Sequence, residues 1–321
     1  MQGLVTVFGG SGFVGSQVVR QLAKAGHRVR VAVRQPNLAY KMRMLGDVGQ
    51  IEVVQANVRN AASVVRALDG AEACVNLVGL LYEAGRQKFQ AVHVMGAKTV
   101  AEQAAAAGVT RFVQMSAIGA DAGSESKYAR TKAEGEEAVK AAFPGAVIVR
   151  PSVVFGPEDA FFNRFGQMAA YAPALPLVGG ETRLQPVFVG DVAAVITRAV
   201  SDPAMAGLTY ELGGPGVFTM RQILELILTE TGRDRPLVPL PWPIATLIGQ
   251  LGDIQSGILP IAPPITSDQV ELLKSDNVAD HGLPGLAEVG IVPTSIEAIV
   301  PSYLYRYRKG GQYAPTPAGA F

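Results

Sequence analysis

The sequence predicts an α/β fold: a doubly wound parallel sheet with a smaller C-terminal lobe. Three observations lead there. In the first half, short β-branched runs alternate with helical stretches, the order that builds a parallel sheet with helices on both faces. Those runs are mostly apolar, as befits strands buried on both faces. After Arg150 the texture changes and Gly, Pro and aromatic residues crowd the chain: Pro151, Phe155, Gly156, Pro157, Phe161, Phe162. The 321 residues are 49% hydrophobic and 17% charged, enough apolar material for one large domain or for one with a smaller partner lobe.

Strands are expected at residues 4–8, 29–33, 51–55, 73–78, 111–115 and 146–149, and helices at 14–25, 61–68, 86–107 and 128–142. One more sheet-and-helix unit follows at 187–200, and a strand-like run at 208–212. Residues 1–154 are thus expected to form the sheet domain, completed by about 185–212, with 155–308 as a smaller lobe interleaved with it. The tail, 309–321, is rich in Gly, Pro and Ala and reads as flexible.

The formal net charge of +1 offers no basic excess to neutralise phosphates, which argues against a nucleic-acid partner. Cys74 is the one cysteine and lies in an apolar run, so a buried inert thiol is expected. His27, His93 and His281 lack metal-ligand spacing, and no metal site is expected. The first strand begins at about Gly3, leaving no room for a signal peptide; a cytoplasmic bacterial protein, or a trimmed mature form, is the expectation. No stretch has the unbroken apolar character of a transmembrane helix.

Phe8-Gly9-Gly10-Ser11-Gly12-Phe13-Val14-Gly15 lies between the first strand and the first helix. Glycines there permit a tight turn and close approach of the backbone to a pyrophosphate, and the helix N-terminus presents free N–H groups to the phosphates. In that strand–turn–helix context the run marks a Rossmann-type nicotinamide dinucleotide site, with Gly9, Ser11, Gly12, Phe13, Val14 and Gly15 against the cofactor. A site selective for NAD(H) carries Asp or Glu at the end of the second strand. From His27 to Gly46 this chain has no acidic residue; Arg34 stands at the strand end, with Lys41 and Arg43 beyond. A guanidinium there can pair with a 2′-phosphate, so NADP(H) is expected ahead of NAD(H). Asn57 and Val58, after the third strand, are placed to meet the adenine, and Leu77, Val78 and Gly79, after the fourth, to lie under the adenine ribose.

Tyr128 and Lys132 are four residues apart and share a helix face. The Lys132 ammonium is expected to lower the phenol pKa of Tyr128, fitting it to exchange protons with a carbonyl or alcohol. Ser116 ends the fifth strand, where its hydroxyl could hold the substrate oxygen. Pro151, at the start of the textural change, is counted with Ser116, Tyr128 and Lys132 among the cofactor-binding residues.

The glycine turn with Ser116, Tyr128 and Lys132 resembles the short-chain dehydrogenase/reductase superfamily, and the two-lobed length resembles its extended or atypical branch. Longer strings narrow the likeness: Met44-Leu45-Gly46-Asp47-Val48-Gly49-Gln50, the run from Ala142 to Ser152, the run from Phe155 to Phe165, and Leu184-Gln185-Pro186-Val187-Phe188-Val189-Gly190-Asp191-Val192. These are similar to the nucleotide-binding accessory subunit of respiratory complex I (NADH:quinone oxidoreductase) in its bacterial form, from about Gly3 to Val200; Leu272-Leu273-Lys274-Ser275-Asp276-Asn277 also fits. The resemblance implies a structural dinucleotide, usually NADPH. It also implies docking on peripheral-arm and membrane-arm subunits close to where quinone enters, peripherally on the cytoplasmic side of the bacterial inner membrane. Tyr128 and Lys132 also bond the nicotinamide ribose in that superfamily. Two readings therefore stay open: a retained cofactor clamp in an accessory subunit, or an atypical NAD(P)-dependent reductase or epimerase using Ser116, Tyr128 and Lys132.

The segment from Pro236 to Ile265 has thirty residues, one charge (Asp253), seven prolines and the only tryptophan, Trp242. The prolines forbid a continuous spanning helix, but residues 243–254 can form a short one with Ile244, Leu247, Ile248 and Leu251 on one face. That stripe reads equally as core packing or as a surface for the membrane or partner subunits. Phe161, Phe162 and Phe165 read either as an apolar lid over the nicotinamide end or as core of the small lobe.

Overall fold

The computed structural model describes residues 2–258 and 262–314. Seven strands form one parallel sheet: β1 (Gln2–Phe8), β2 (His27–Val33), β3 (Ile51–Gln55), β4 (Ala73–Asn76), β5 (Arg111–Met115), β6 (Val147–Pro151) and β7 (Thr209–Leu212). Their order is β7-β6-β5-β4-β1-β2-β3, so the winding reverses between β1 and β4 and opens a crevice at the C-terminal ends of those two strands.

The alternation along each strand explains the two helical layers. Val5, Val7, Val29, Val31, Val113 and Val149 face one side, where they pack with Val18, Val19 and Leu22 of α1 (Phe13–Lys24). Phe8, Ala32, Cys74, Phe112 and Ile148 face the other, against α2 (Ala61–Leu68) and α3 (Met95–Ala106). The helix α4 (Lys127–Ala142) lies beside α3, and Val139 joins the second cluster. Cys74 is fully buried in it and burial pushes its thiol pKa up, leaving an unreactive small hydrophobe.

Farther along lie α5 (Phe161–Tyr171), α6 (Val189–Ser201), α7 (Met220–Thr231), α8 (Trp242–Ile258) and α9 (Ser267–Leu272). The helix α6 closes the α1 side of the sheet with Val192, Val195 and Ile196. A third cluster gathers Phe155, Phe162, Ile223, Leu224, Ile227, Val300, Tyr303 and Leu304. The chain from residue 277 onward runs back across earlier elements and is pinned to each. The Ser152 hydroxyl donates to the carbonyl oxygen of Asn277 (2.9 Å), and the Asp280 N–H to Glu211 (2.9 Å). The Thr294 N–H donates to Asp191 (2.7 Å), and the Tyr303 hydroxyl to Asp159 (2.7 Å).

Two expectations change, and two open readings are decided. Residues 86–88 are not helical, and Gln90–Val94 forms a π-helical turn ahead of α3; Gly135 of α4 lies against the His93 carbonyl of that turn, where a Cβ would stand 2.2 Å from its oxygen. Val187–Phe188 does not join the large sheet; confined between Pro186 and the start of α6, it pairs only with Val154–Phe155. Phe162 is core; Phe161 meets it edge-on at 5.4 Å and Phe165 meets Phe161 edge-on at 5.3 Å, so these rings fill the lobe rather than cover a cofactor. The apolar stripe of α8 is not core: Ile244 (49%), Leu247 (58%), Leu251 (60%) and Ile254 (59%) are exposed. Residues 311–313 make a 3-10 turn; the rest of the expected flexible tail, 315–321, and residues 259–261 lie outside the described residues.

Candidate functional site

The glycine turn connects β1 to α1 by a path that side chains would block. Gly9 adopts φ +78°, and a Cβ on Gly15 would stand 2.3 Å from the Gly9 oxygen. The Gly12 N–H closes the turn on the Gly9 carbonyl at 3.0 Å. No side chain caps α1 and no acidic residue occupies its first turn, so its N-terminal N–H groups and positive dipole end face the crevice. Ser11 and Gly12 are exposed, Phe13 and Val14 half-buried, and Gly15 buried. The turn lies against the loop after β4: a Cβ on Gly9 would meet Leu77 and Val78 at 3.3 Å. An uncapped helix start behind a glycine cradle fits a pyrophosphate.

Arg34 follows β2 directly, is exposed, and makes no hydrogen bond or ion pair among the described residues. Asn57 and Val58 follow β3. The Asn57 side-chain oxygen accepts from the Arg59 N–H (3.1 Å) and so shapes its own turn, while Val58 is buried in the α3 side of the core. Leu77 is held by its N–H to the Phe8 carbonyl (3.0 Å), Val78 by its N–H to the Asn76 side chain (3.2 Å). Pro151 ends β6, buried, its carbonyl accepting from Ile118 (3.1 Å).

On the other side of the crevice, the Lys132 ammonium lies between strand ends. It is 3.5 Å from the Met115 carbonyl after β5, and a Cβ on Gly79 would stand 3.3 Å from it. It sits 5.7 Å from the centre of the Tyr128 ring. Ser116 is buried, and its hydroxyl oxygen has no hydrogen-bond partner. A buried hydroxyl without a partner costs about 1–3 kcal/mol, and a polar ligand group would satisfy it. The expected tuning of Tyr128 is corrected. Burial, and then the Asp268 carboxylate, push its phenol up to about 12, while burial pulls Lys132 down to about 8. Tyr128 is therefore a neutral hydrogen-bond donor at neutral pH, suited to a ribose or carbonyl oxygen.

Several positioning groups are not readable from the motifs. His93 is buried in the π-helical turn; its Nε2 accepts from the Leu80 N–H (2.9 Å), which leaves Nδ1–H to donate to the Thr131 hydroxyl (3.1 Å). Burial and the Lys132 ammonium push it down to about 3, so it stays neutral. Its ring stacks on Phe89 (5.1 Å) and meets Tyr128 edge-on (5.4 Å). Arg150 of β6 grips Glu136 through two bonds, 2.9 and 2.7 Å, and so anchors α4 one turn beyond Lys132. Asp268, from α9, accepts from the N–H groups of Lys127 (2.6 Å) and Tyr128 (3.1 Å). A lone histidine in a helical stretch and an aspartate 140 residues from Tyr128 carry no local signal.

Residues 5–213 match the NAD dependent epimerase/dehydratase family. Among curated proteins, the chain is 35% identical to "NADH dehydrogenase [ubiquinone] 1 alpha subcomplex subunit 9, mitochondrial" of Mus musculus, over 95% of this chain and 80% of the relative. It is 31% identical to "NADH-ubiquinone oxidoreductase 40 kDa subunit, mitochondrial" of Neurospora crassa, over 98% of this chain and 82% of the relative. A "Ceramide reductase" of Caulobacter vibrioides is 33% identical over 80% of each chain. Among solved structures, the NADPH complex of an NADPH-dependent quinone oxidoreductase from Escherichia coli superposes with a TM-score of 0.73 at 20% identity, covering 94% of this chain and 99% of that one, a likeness of fold. The chain belongs to the NAD dependent epimerase/dehydratase family and is a relative, within it, of the alpha-subcomplex subunit 9 of mitochondrial NADH dehydrogenase.

Proposed function

We propose that this protein is an NADP(H)-binding accessory subunit of respiratory complex I, with the dinucleotide held as a structural ligand. One observation carries the subunit reading: the family match ends at residue 213, whereas relatives named as NADH dehydrogenase subunits are 31–35% identical over 95–98% of the chain, the C-terminal lobe included. The crevice would take the pyrophosphate on the Gly9–Gly15 turn, with Ser11 to Val14 along it. Asn57, Val58, Leu77, Val78 and Gly79 line the adenosine side. Tyr128 and Lys132 would hold the nicotinamide ribose, near Ser116 and Pro151. Unpartnered Arg34 supports NADP(H) over NAD(H), since a guanidinium with no carboxylate nearby favours a 2′-phosphate. When bound, the nicotinamide can supply hydride chemistry; the chain supplies an uncharged phenol and a cation beside it.

The subunit would dock at the junction of the peripheral arm and the membrane, near where quinone enters, on the cytoplasmic side of a bacterial inner membrane; the exposed apolar face of α8 supports a docking surface as such. Among the described residues no helix is long and apolar enough to cross a membrane. Residues 1–154 would then serve as the dinucleotide domain and 155–308 as the docking lobe. Two measurements test this. Arg34→Ala should weaken NADPH binding by about tenfold or more and leave NADH binding unchanged, a loss typical of a charge-assisted bond; equal losses would remove the NADP(H) assignment. In native gels of gently solubilised membranes the protein should migrate with the large NADH-oxidising complex; a small free species would remove the subunit reading. That second outcome would favour a reductase working through Ser116, Tyr128 and Lys132, for which the unsatisfied Ser116 hydroxyl and the ceramide reductase relative speak.

A further inference from the structure

Three consecutive residues of α9 reach three different elements. The Ser267 hydroxyl bonds the Asp253 carboxylate of α8. Asp268 accepts the Ser126 hydroxyl (3.0 Å) and the N–H groups of Lys127 (2.6 Å) and Tyr128 (3.1 Å) at the start of α4. The Gln269 amide donates to the Leu81 carbonyl (3.4 Å), in the loop that begins with Leu77, Val78 and Gly79. The helix α8 is seated against this segment backbone to backbone: a Cβ on Gly249 would stand 2.6 Å from the Ser267 nitrogen, and one on Gly252 2.0 Å from the Ile265 oxygen. Its opposite face, Ile244, Leu247, Leu251 and Ile254, is open. The same short helix thus grips two walls of the cofactor crevice and the helix that carries an exposed apolar face.

We propose that Asp268 is a positioning residue of the cofactor site: its carboxylate fixes the first turn of α4, and with it Tyr128, and couples the occupancy of the crevice to the placement of α8. The proposal rests on the reading that Tyr128 meets the bound dinucleotide. A negative charge at a helix N-terminus is favourable, and here it comes from another element, so displacing α9 releases two N–H groups and one hydroxyl at once. Ordering Tyr128 by a ligand then stabilises the seated position of α9 and α8, and by reciprocity whatever holds α8 in place tightens the ligand.

Trp242, the only tryptophan, begins α8 and reports on it directly. In the full-length protein, saturation with NADP+, which lacks the near-ultraviolet absorption of the reduced form, should shift the Trp242 emission. NADPH affinity should fall by about tenfold in Asp268→Ala, in line with the loss of charge-assisted bonds. The Trp242 response should vanish in that variant even at saturating NADP+. Asp268→Asn, of the same shape and uncharged, should fold as the wild type does and show a smaller loss of affinity and a partial response. If neither nucleotide binds the wild type, the cofactor reading falls and this coupling with it. If both bind but Trp242 does not respond, or if Asp268→Ala and Asp268→Asn bind and respond as the wild type does, the coupling is overturned and the cofactor site stands.

Discussion

At the scale of single residues, the site is built from groups that folding places at some cost. Gly15 admits no methyl group: Gly15→Ala would set a Cβ 2.3 Å from the Gly9 oxygen and 2.7 Å from Gly10. Overpacking of this kind costs about 1–3 kcal/mol, and both a lower melting temperature and loss of NADPH binding are expected. Lys132 is held at about 8 against an ordinary 10.5. Between those values the unfolded chain keeps a proton that the folded chain has lost, so stability contributed by this group rises with pH from 8 to 10.5 and the penalty is full below 8. Lys132→Met should therefore have a higher melting temperature than the wild type at pH 7 without ligand, while binding NADPH more weakly. His93 behaves likewise on the acid side. It sits at about 3 against 6.5, so its contribution falls as pH drops from 6.5 toward 3. Urea melts across that range should show the stability gap between wild type and His93→Asn narrowing as pH falls.

At the scale of elements, what the sequence made legible was what neighbouring residues encode. The glycine turn, the Ser116 strand end and the Tyr128–Lys132 pair are each local, and each lies where its strand or helix predicts. The exposed place of Arg34 after β2, with no acidic residue from His27 to Gly46, was legible because an absence of carboxylates over a whole strand and loop is visible without any contact. The π-helical turn was not, since the apolar spacing of residues 86–107 satisfies an ordinary helix and the turn lies against Gly135 of α4, a contact between distant positions. Nor could Asp268 be found, because a cap supplied from a distant element leaves no trace beside the helix it caps. For α8 the pattern showed an apolar stripe but not which way it faced, and the fold turns it outward because Gly249 and Gly252 claim the inward side. Leu247→Glu combined with Leu251→Glu should leave thermal stability within about 0.5 kcal/mol of the wild type, as for most surface substitutions. The same pair should release the protein from washed membranes; retention there would remove α8 as the docking element.

At the scale of the whole molecule, the sheet with its two helical layers could be anticipated because strand alternation and helix periodicity repeat over six or seven units. The closing of the structure could not, since it depends on contacts between residues 277–304 and elements more than a hundred positions earlier. A ligand that binds only the native state adds RT ln(1 + [L]/Kd), about 2.7 kcal/mol at a hundredfold excess over Kd, so saturating NADPH should raise the melting temperature by several degrees and NADH by less. The pins from Asn277, Asp280, Thr294 and Tyr303 also bear on how the protein is made. A nascent chain can assemble the sheet from β1 to β6 as it leaves the ribosome, yet the third core cluster lacks Val300, Tyr303 and Leu304 until residue 304 has emerged. During that interval Phe155, Phe162 and Ile223 are uncovered, so a chaperone that captures apolar surface should hold nascent chains that stop between residues 230 and 300 and release those in which the 277–304 segment has emerged and closed over the cluster.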